Sequence, residues 1–184
     1  PTRDLRHTPS EALAVGQAFD SPFTLWEQDA TQAAVVAAAQ DADILHVSGH
    51  GRYEWLEPER SGLILAAEGS AGERERKGDR FTVAEMRDEL RLSRARLVTL
   101  SACETGLVEF RRGLADEYLG LPGILLQAGA RAVVASLWAV DDLATTLLMR
   151  QFYVEWQAGA VSIAAALQRA QKWLRTRSRA QVEE

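Results

Sequence analysis

Apolar and polar positions along this chain fall into blocks that switch between helical and strand spacing. Ser10 followed by EALAVGQAF predicts a capped helix, and DATQAAVVAAAQ (residues 29–40) predicts an alanine-rich second one capped by Asp29 or Thr31. ADILHVSGHG is a compact apolar run ending in glycines, the mark of a buried strand entering a loop. GLILA (62–66) predicts another short strand, and the charged, glycine-rich AEGSAGERERKGDR after it predicts an exposed loop. TVAE (82–85) has capping-box spacing, so a short helix is expected to about Leu90.

RLVTLSACETG (96–106) is the strongest buried-strand pattern in the chain, and RAVVASLW (131–138) is the next. Between them, LGLPGILLQAGA predicts a helix that Pro122 starts or bends. Two long helices close the chain. The first runs from Asp141 or Asp142 to about Ala158 and stops at Gly159; the second starts at Ser162, with Ile163, Leu167, Ala170 and Leu174 on one face. Apolar strands alternating with helices predict an α/β fold with a mostly parallel sheet covered on both faces. No apolar strand precedes Ser10, so the first strand of that sheet is expected upstream of this chain. Residues 1–9 read as a linker or truncated upstream segment, 10–178 as one domain and 179–184 as a tail.

Composition narrows the function. The 184 residues, 47% apolar and 26% charged, suit one globular domain and exclude disorder and fibrous repeats. A net charge of −5 argues against nucleic acid as a partner. The single cysteine excludes a disulfide framework and fits a reducing, cytoplasmic location. No apolar run nears the roughly 18 residues of a membrane span, so no membrane partner is expected. Neither GxGxxG nor a P-loop pattern occurs, and no cofactor is expected.

In open α/β sheets, ligands bind beyond the carboxyl ends of the strands. HVSGHG, TLSACETG and SLWAVDD finish at that edge and bring His50, Cys103, Asp141 and Asp142 to one rim if their strands are neighbours. A lone strand-end cysteine is usually a small buried hydrophobe. A histidine whose pKa lies near neutrality changes that, because it can take the thiol proton. Gly51 leaves the backbone after His50 unobstructed, so its N–H and that of Cys103 are candidate oxyanion donors. The pair is 103 − 50 = 53 positions apart, close to the spacing of about 50 known between the histidine and cysteine of caspases.

ILHVSGHG, LVTLSACETG, ADEYLGLP and AGARAVVASLWAVDDLATTLLMRQFYVEW together resemble the CHAT domain, a caspase-related module often joined to tetratricopeptide repeats. The resemblance spans about Ser10 to Leu174. It implies a caspase–haemoglobinase fold, a His50–Cys103 dyad, and a repeat domain or activating protein partner upstream. The likeness to caspases themselves is looser, since Ser101-Ala102-Cys103 stands where they carry Gln-Ala-Cys.

His46, Ser48 and His50 share strand parity, so their side chains are expected to point the same way. HVSGH has the i, i+4 spacing of a zinc helix but lies in a strand and lacks the glutamate of HExxH; no metal site is expected. His46 is expected to hydrogen-bond in the core or behind the dyad, and His7 to lie at the surface. One of Asp141 and Asp142 reads as an N-cap and the other as a first-turn charge. SLWAVDD also resembles the equivalent stretch of separases, which implies that one of these carboxylates receives a basic residue before the cleaved bond. Glu104 would oppose thiolate formation beside Cys103, so it is expected to point away or to help bind substrate. Arg111-Arg112 reads as a solvated pair, and Arg169, Lys172, Arg175, Arg177 and Arg179 as the wet face of the last helix.

The expected function is a cysteine endopeptidase that cleaves a protein partner and stays latent until its loops, at 67–80 and 104–116, are ordered. The competing expectation is a non-catalytic scaffold or signalling module on the same fold.

Overall fold

A computed structural model describes residues 5–54, 56–67, 80–102, 120–137, 140–159 and 161–177. The described elements are α1 (Thr8–Gly16), α2 (Gln32–Asp41), β1 (Ile44–Arg52), β2 (Gly62–Ile64), β3 (Arg80–Thr82), α3 (Val83–Glu89), β4 (Leu97–Ala102), α4 (Leu121–Gln127), β5 (Val133–Ala135), α5 (Asp142–Gln157) and α6 (Ile163–Arg175). They fall into two units, one from Leu25–Ala139 and one from Pro1–Thr24 with Val140–Glu184.

The first unit is a five-stranded sheet in the order β3-β2-β1-β4-β5 with helices packed on it. The apolar runs that predicted buried strands make its parallel half, β1 with β4 and β4 with β5. The expectation of a mostly parallel sheet needs correction, because β1–β2 and β2–β3 are antiparallel and the sheet is mixed. Chain length explains the first of these pairings. Between Arg52 and Gly62 the described residues form a single 3-10 turn (Pro58–Arg60), and a parallel return needs a crossover of about a dozen residues or more.

Alternation sorts the sheet side chains. Leu45, Val47, Val98, Leu100, Val133 and Ala135 join one apolar cluster with Ala39 of α2, Val83 and Met86 of α3, and Leu121, Ile124 and Leu125 of α4. Three helices therefore cover that one face. The capping box forms as the sequence predicts. Thr82 Oγ1 accepts from the Glu85 N–H at 3.2 Å, and Glu85 Oε2 accepts from the Thr82 N–H at 2.7 Å. Thr82→Ala is expected to cost about 1 kcal/mol, seen as a lower urea midpoint with an unchanged slope. Pro122 starts α4 rather than bending it.

The second unit holds α1, α5 and α6. Phe152 and Tyr153 are fully buried, and Phe19 meets the Tyr153 ring edge-on at 5.6 Å between centroids. Ala166 and Ala170 on α6 are also fully buried, small side chains on the apolar face the sequence predicts. α1 begins at Thr8, not after a Ser10 cap. Pro9 is tolerated in a first turn because its missing N–H would have no partner there, and the Ser10 hydroxyl instead donates to the His7 carbonyl at 2.7 Å. Glu11, 1% exposed, accepts from the Thr146 hydroxyl at 3.2 Å, a buried carboxylate that the helix pattern did not single out.

Candidate active site

His50 and Gly51 lie in β1, two residues and one residue before its end at Arg52. The strand does not stop at the glycines, as the sequence predicts, but runs through them to Arg52. Its pairing changes at that point. Ile44–Gly49 pairs in parallel with β4, from Ile44 opposite Leu97 to Gly49 opposite Ala102. His50, Gly51 and Arg52 pair on the other edge with Ile64, Leu63 and Gly62 of β2. His50 thus follows the last described parallel pair and is the first residue in the antiparallel register. The carboxyl ends of parallel strands are where α/β sheets open a crevice.

Cys103 follows Ala102 directly in sequence, as His50 follows Gly49. Cys103 and Glu104 lie outside the described residues, as do Arg111, Arg112, Trp138 and Arg179. Of the stretch 67–80, only Ala67 and Arg80 are described, and Arg80 opens β3, a strand the charge-rich pattern concealed.

The polar row predicted from His46, Ser48 and His50 has a counterpart on β4. The parallel register sets His46 opposite Thr99 and Ser48 opposite Ser101, so four polar residues lead toward the carboxyl ends of both strands. Thr99 is fully buried and His46 is half-buried. The signal for Thr99 and Ser101 was present in LVTLSA, where the two hydroxyl residues share one parity. Among the described residues, no group of three or more His, Cys, Asp or Glu is placed to hold a metal ion.

Asp141 and Asp142 belong to the helical unit and each has structural work there. Asp141 caps α5, its Oδ1 accepting from the Ala144 N–H at 3.0 Å. Asp142 Oδ2 accepts from the His7 N–H at 2.7 Å, tying the start of α1 to that of α5. His7, expected only as a surface residue, therefore bears on the helix packing through its backbone.

Just after Gly51 in the chain, Arg52 and Glu54 join Arg80 in a charged cluster that sequence reasoning missed. Glu54 Oε1 accepts from Arg80 Nη1 at 2.9 Å and from Arg52 Nε at 3.1 Å. The hydrogen bond from Arg80 holds the Glu54 carboxyl below its ordinary pKa despite partial desolvation, helped by the charges of Arg52, Arg80 and Arg60. Local patterns cannot reveal a pair 26 positions apart.

The family model described as "CHAT domain" matches residues 1–183. The chain belongs to the CHAT family. CHAT domains are caspase-like, peptidase-related modules, and the mixed α/β sheet of this one is consistent with that relationship. No curated protein matches the CHAT chain. No helix among its described residues is long and apolar enough to cross a membrane.

Proposed function

We propose that this CHAT domain is a cysteine endopeptidase with a caspase–haemoglobinase fold, acting on a protein partner through His50 and Cys103. The observation that carries the reading is the last described pair of the parallel register. Gly49 pairs with Ala102, and the next residue on each chain is the histidine or the cysteine of the dyad. A base and a nucleophile that follow a matched pair on neighbouring strands are the natural candidates for the close approach that nucleophilic catalysis needs.

In the proposed reaction His50 takes the Cys103 proton, and the sulfur attacks the peptide carbonyl carbon. The N–H groups of Gly51 and Cys103 hold the resulting oxyanion. His50 then donates its proton to the leaving amine, the C–N bond breaks, and water hydrolyses the thioester to release the acid. A caspase-like histidine need not form a resting ion pair with its cysteine, so proton transfer and attack can proceed in either order. Glu104 contributes to substrate binding.

Preference for Arg or Lys before the cleaved bond follows from Asp141 and Asp142. A carboxylate offers about four lone-pair sites, so accepting one backbone N–H does not exhaust either group. A guanidinium uses two such sites at once. On a fluorogenic peptide panel, Arg and Lys are expected to outrun acidic and apolar residues at that position; the reverse order would remove the aspartates from specificity.

The domain is regulatory and latent, switched on by an upstream repeat domain or another protein partner, in the cytoplasm. Iodoacetamide labelling tests the dyad without a known substrate. Cys103 is expected to react faster than a free small thiol in the wild-type chain and to lose that advantage in His50→Ala. Equal rates, with no protein substrate cut, favour a scaffold.

A further inference from the structure

We propose that Glu54 and Arg80 are positioning residues for His50, a knot that fixes the backbone on which the histidine and Gly51 stand. The proposal rests on the dyad reading above. Among the described residues, the register of β1 with β4 ends at Gly49 and His50–Arg52 pairs with β2. A segment that carries a catalytic side chain keeps one geometry only when supporting contacts constrain it.

Glu54 supplies that constraint four residues after His50. Its N–H donates to Ser61 Oγ at 2.9 Å, and Ser61 is fully buried. Its carboxylate takes Arg80 and Arg52. Arg80 Nη1 also donates to the Arg60 carbonyl at 2.8 Å, so one nitrogen joins the turn before β2 to the turn after β1. Arg80 stands opposite Ile64, and Ile64 stands opposite His50. The row His50–Ile64–Arg80 is therefore bound twice, through strand pairing and through Glu54.

Exposed ion pairs are worth little, but the Arg80 side chain is only 19% exposed and also holds a backbone carbonyl. Loss of Glu54 leaves the largely covered Arg80 charge without its carboxylate, and loss of Arg80 unties Glu54 from the Arg60 carbonyl, so in either case the local structure must shift.

The test uses the whole chain with Arg80→Ala, Arg80→Lys and Glu54→Gln. Readouts are the NMR resonances of the His50 imidazole, with His46 as internal control, and cleavage of a fluorogenic peptide with Arg before the reporter by the chain activated with its partner protein. Arg80→Ala is expected to move the His50 resonances while those of His46 hold still. The same variant should lose roughly 10²-fold in kcat with KM nearly unchanged, as for a small misplacement of a catalytic group. Arg80→Lys should restore most of both, since a single nitrogen makes both contacts. If Arg80→Ala does not fold, Glu54→Gln decides, with a smaller shift in the same direction. A folded variant of either residue with His50 unmoved overturns the proposal. A moved His50 in the variant, with no cleavage by the wild-type chain even when activated with its partner protein, supports the knot and rejects the dyad reading, so the two failures are distinguishable.

Discussion

His50→Ala is expected to lower kcat/KM for peptide cleavage by about 10³-fold while leaving the folded state intact. General acid–base catalysis by a positioned side chain is worth roughly 10²–10⁴-fold, and the proposed reaction uses His50 twice, to accept one proton and to return it. The residual rate would come from the thiol and the oxyanion donors, so it should still exceed that of Cys103→Ala. His46→Ala is the matched control. His46 shares strand parity with His50 but pairs opposite buried Thr99, well inside the parallel register. Its loss should appear mainly as a lower denaturation midpoint. If His46→Ala abolishes turnover and His50→Ala does not, the base has been misassigned.

The second large effect concerns Gly62, a residue with no chemistry. A Cβ built there would run into the Phe81 carbonyl oxygen, with Phe81 C and Thr82 Cα at 2.8 and 2.9 Å. These obstacles are backbone, so no rotamer change relieves them, and β3 would have to move off β2. Gly62→Val is expected to cost about 3 kcal/mol, at the upper end for overpacking, and to lower Tm by roughly 6–12 °C. Gly62 also pairs with Arg52, two residues after His50, so the same substitution should disturb the His50 resonance in the folded chain. Gly49 is the contrast. Among the described residues no atom lies within 4 Å of where its Cβ would be, and Gly49→Ala should fold normally.

The difference between these glycines was invisible in the sequence, and the reason is physical. A close backbone approach is set by the strand opposite, not by neighbours in the chain. The same holds for β1. Its apolar run was legible as far as Val47, but Gly49 and Gly51 carry no side chain, so periodicity could not show that the strand continued to Arg52. The Glu54–Arg80 and His7–Asp142 ties link residues 26 and 135 positions apart and leave no local trace.

What was legible rests on local rules. Thr31 as the cap of α2, the Thr82–Glu85 box, Asp141 and Ser162 as caps, and the apolar runs of β1 and β4 each depend on residues within a few positions. The strand β3 escaped because three residues at the end of a charged stretch carry almost no periodic signal. The candidate histidine was legible because it follows an apolar strand. That pairing with β2 begins at this histidine required the sheet.

The central claim is that Cys103 is the nucleophile. Its most direct test is the rate of peptide cleavage by wild-type and Cys103→Ala chains, prepared alike and activated with the same partner protein. The expected result is cleavage by the wild-type chain and none above background by the variant, with matching circular dichroism and Tm. Cleavage by the variant at the wild-type rate would contradict the account.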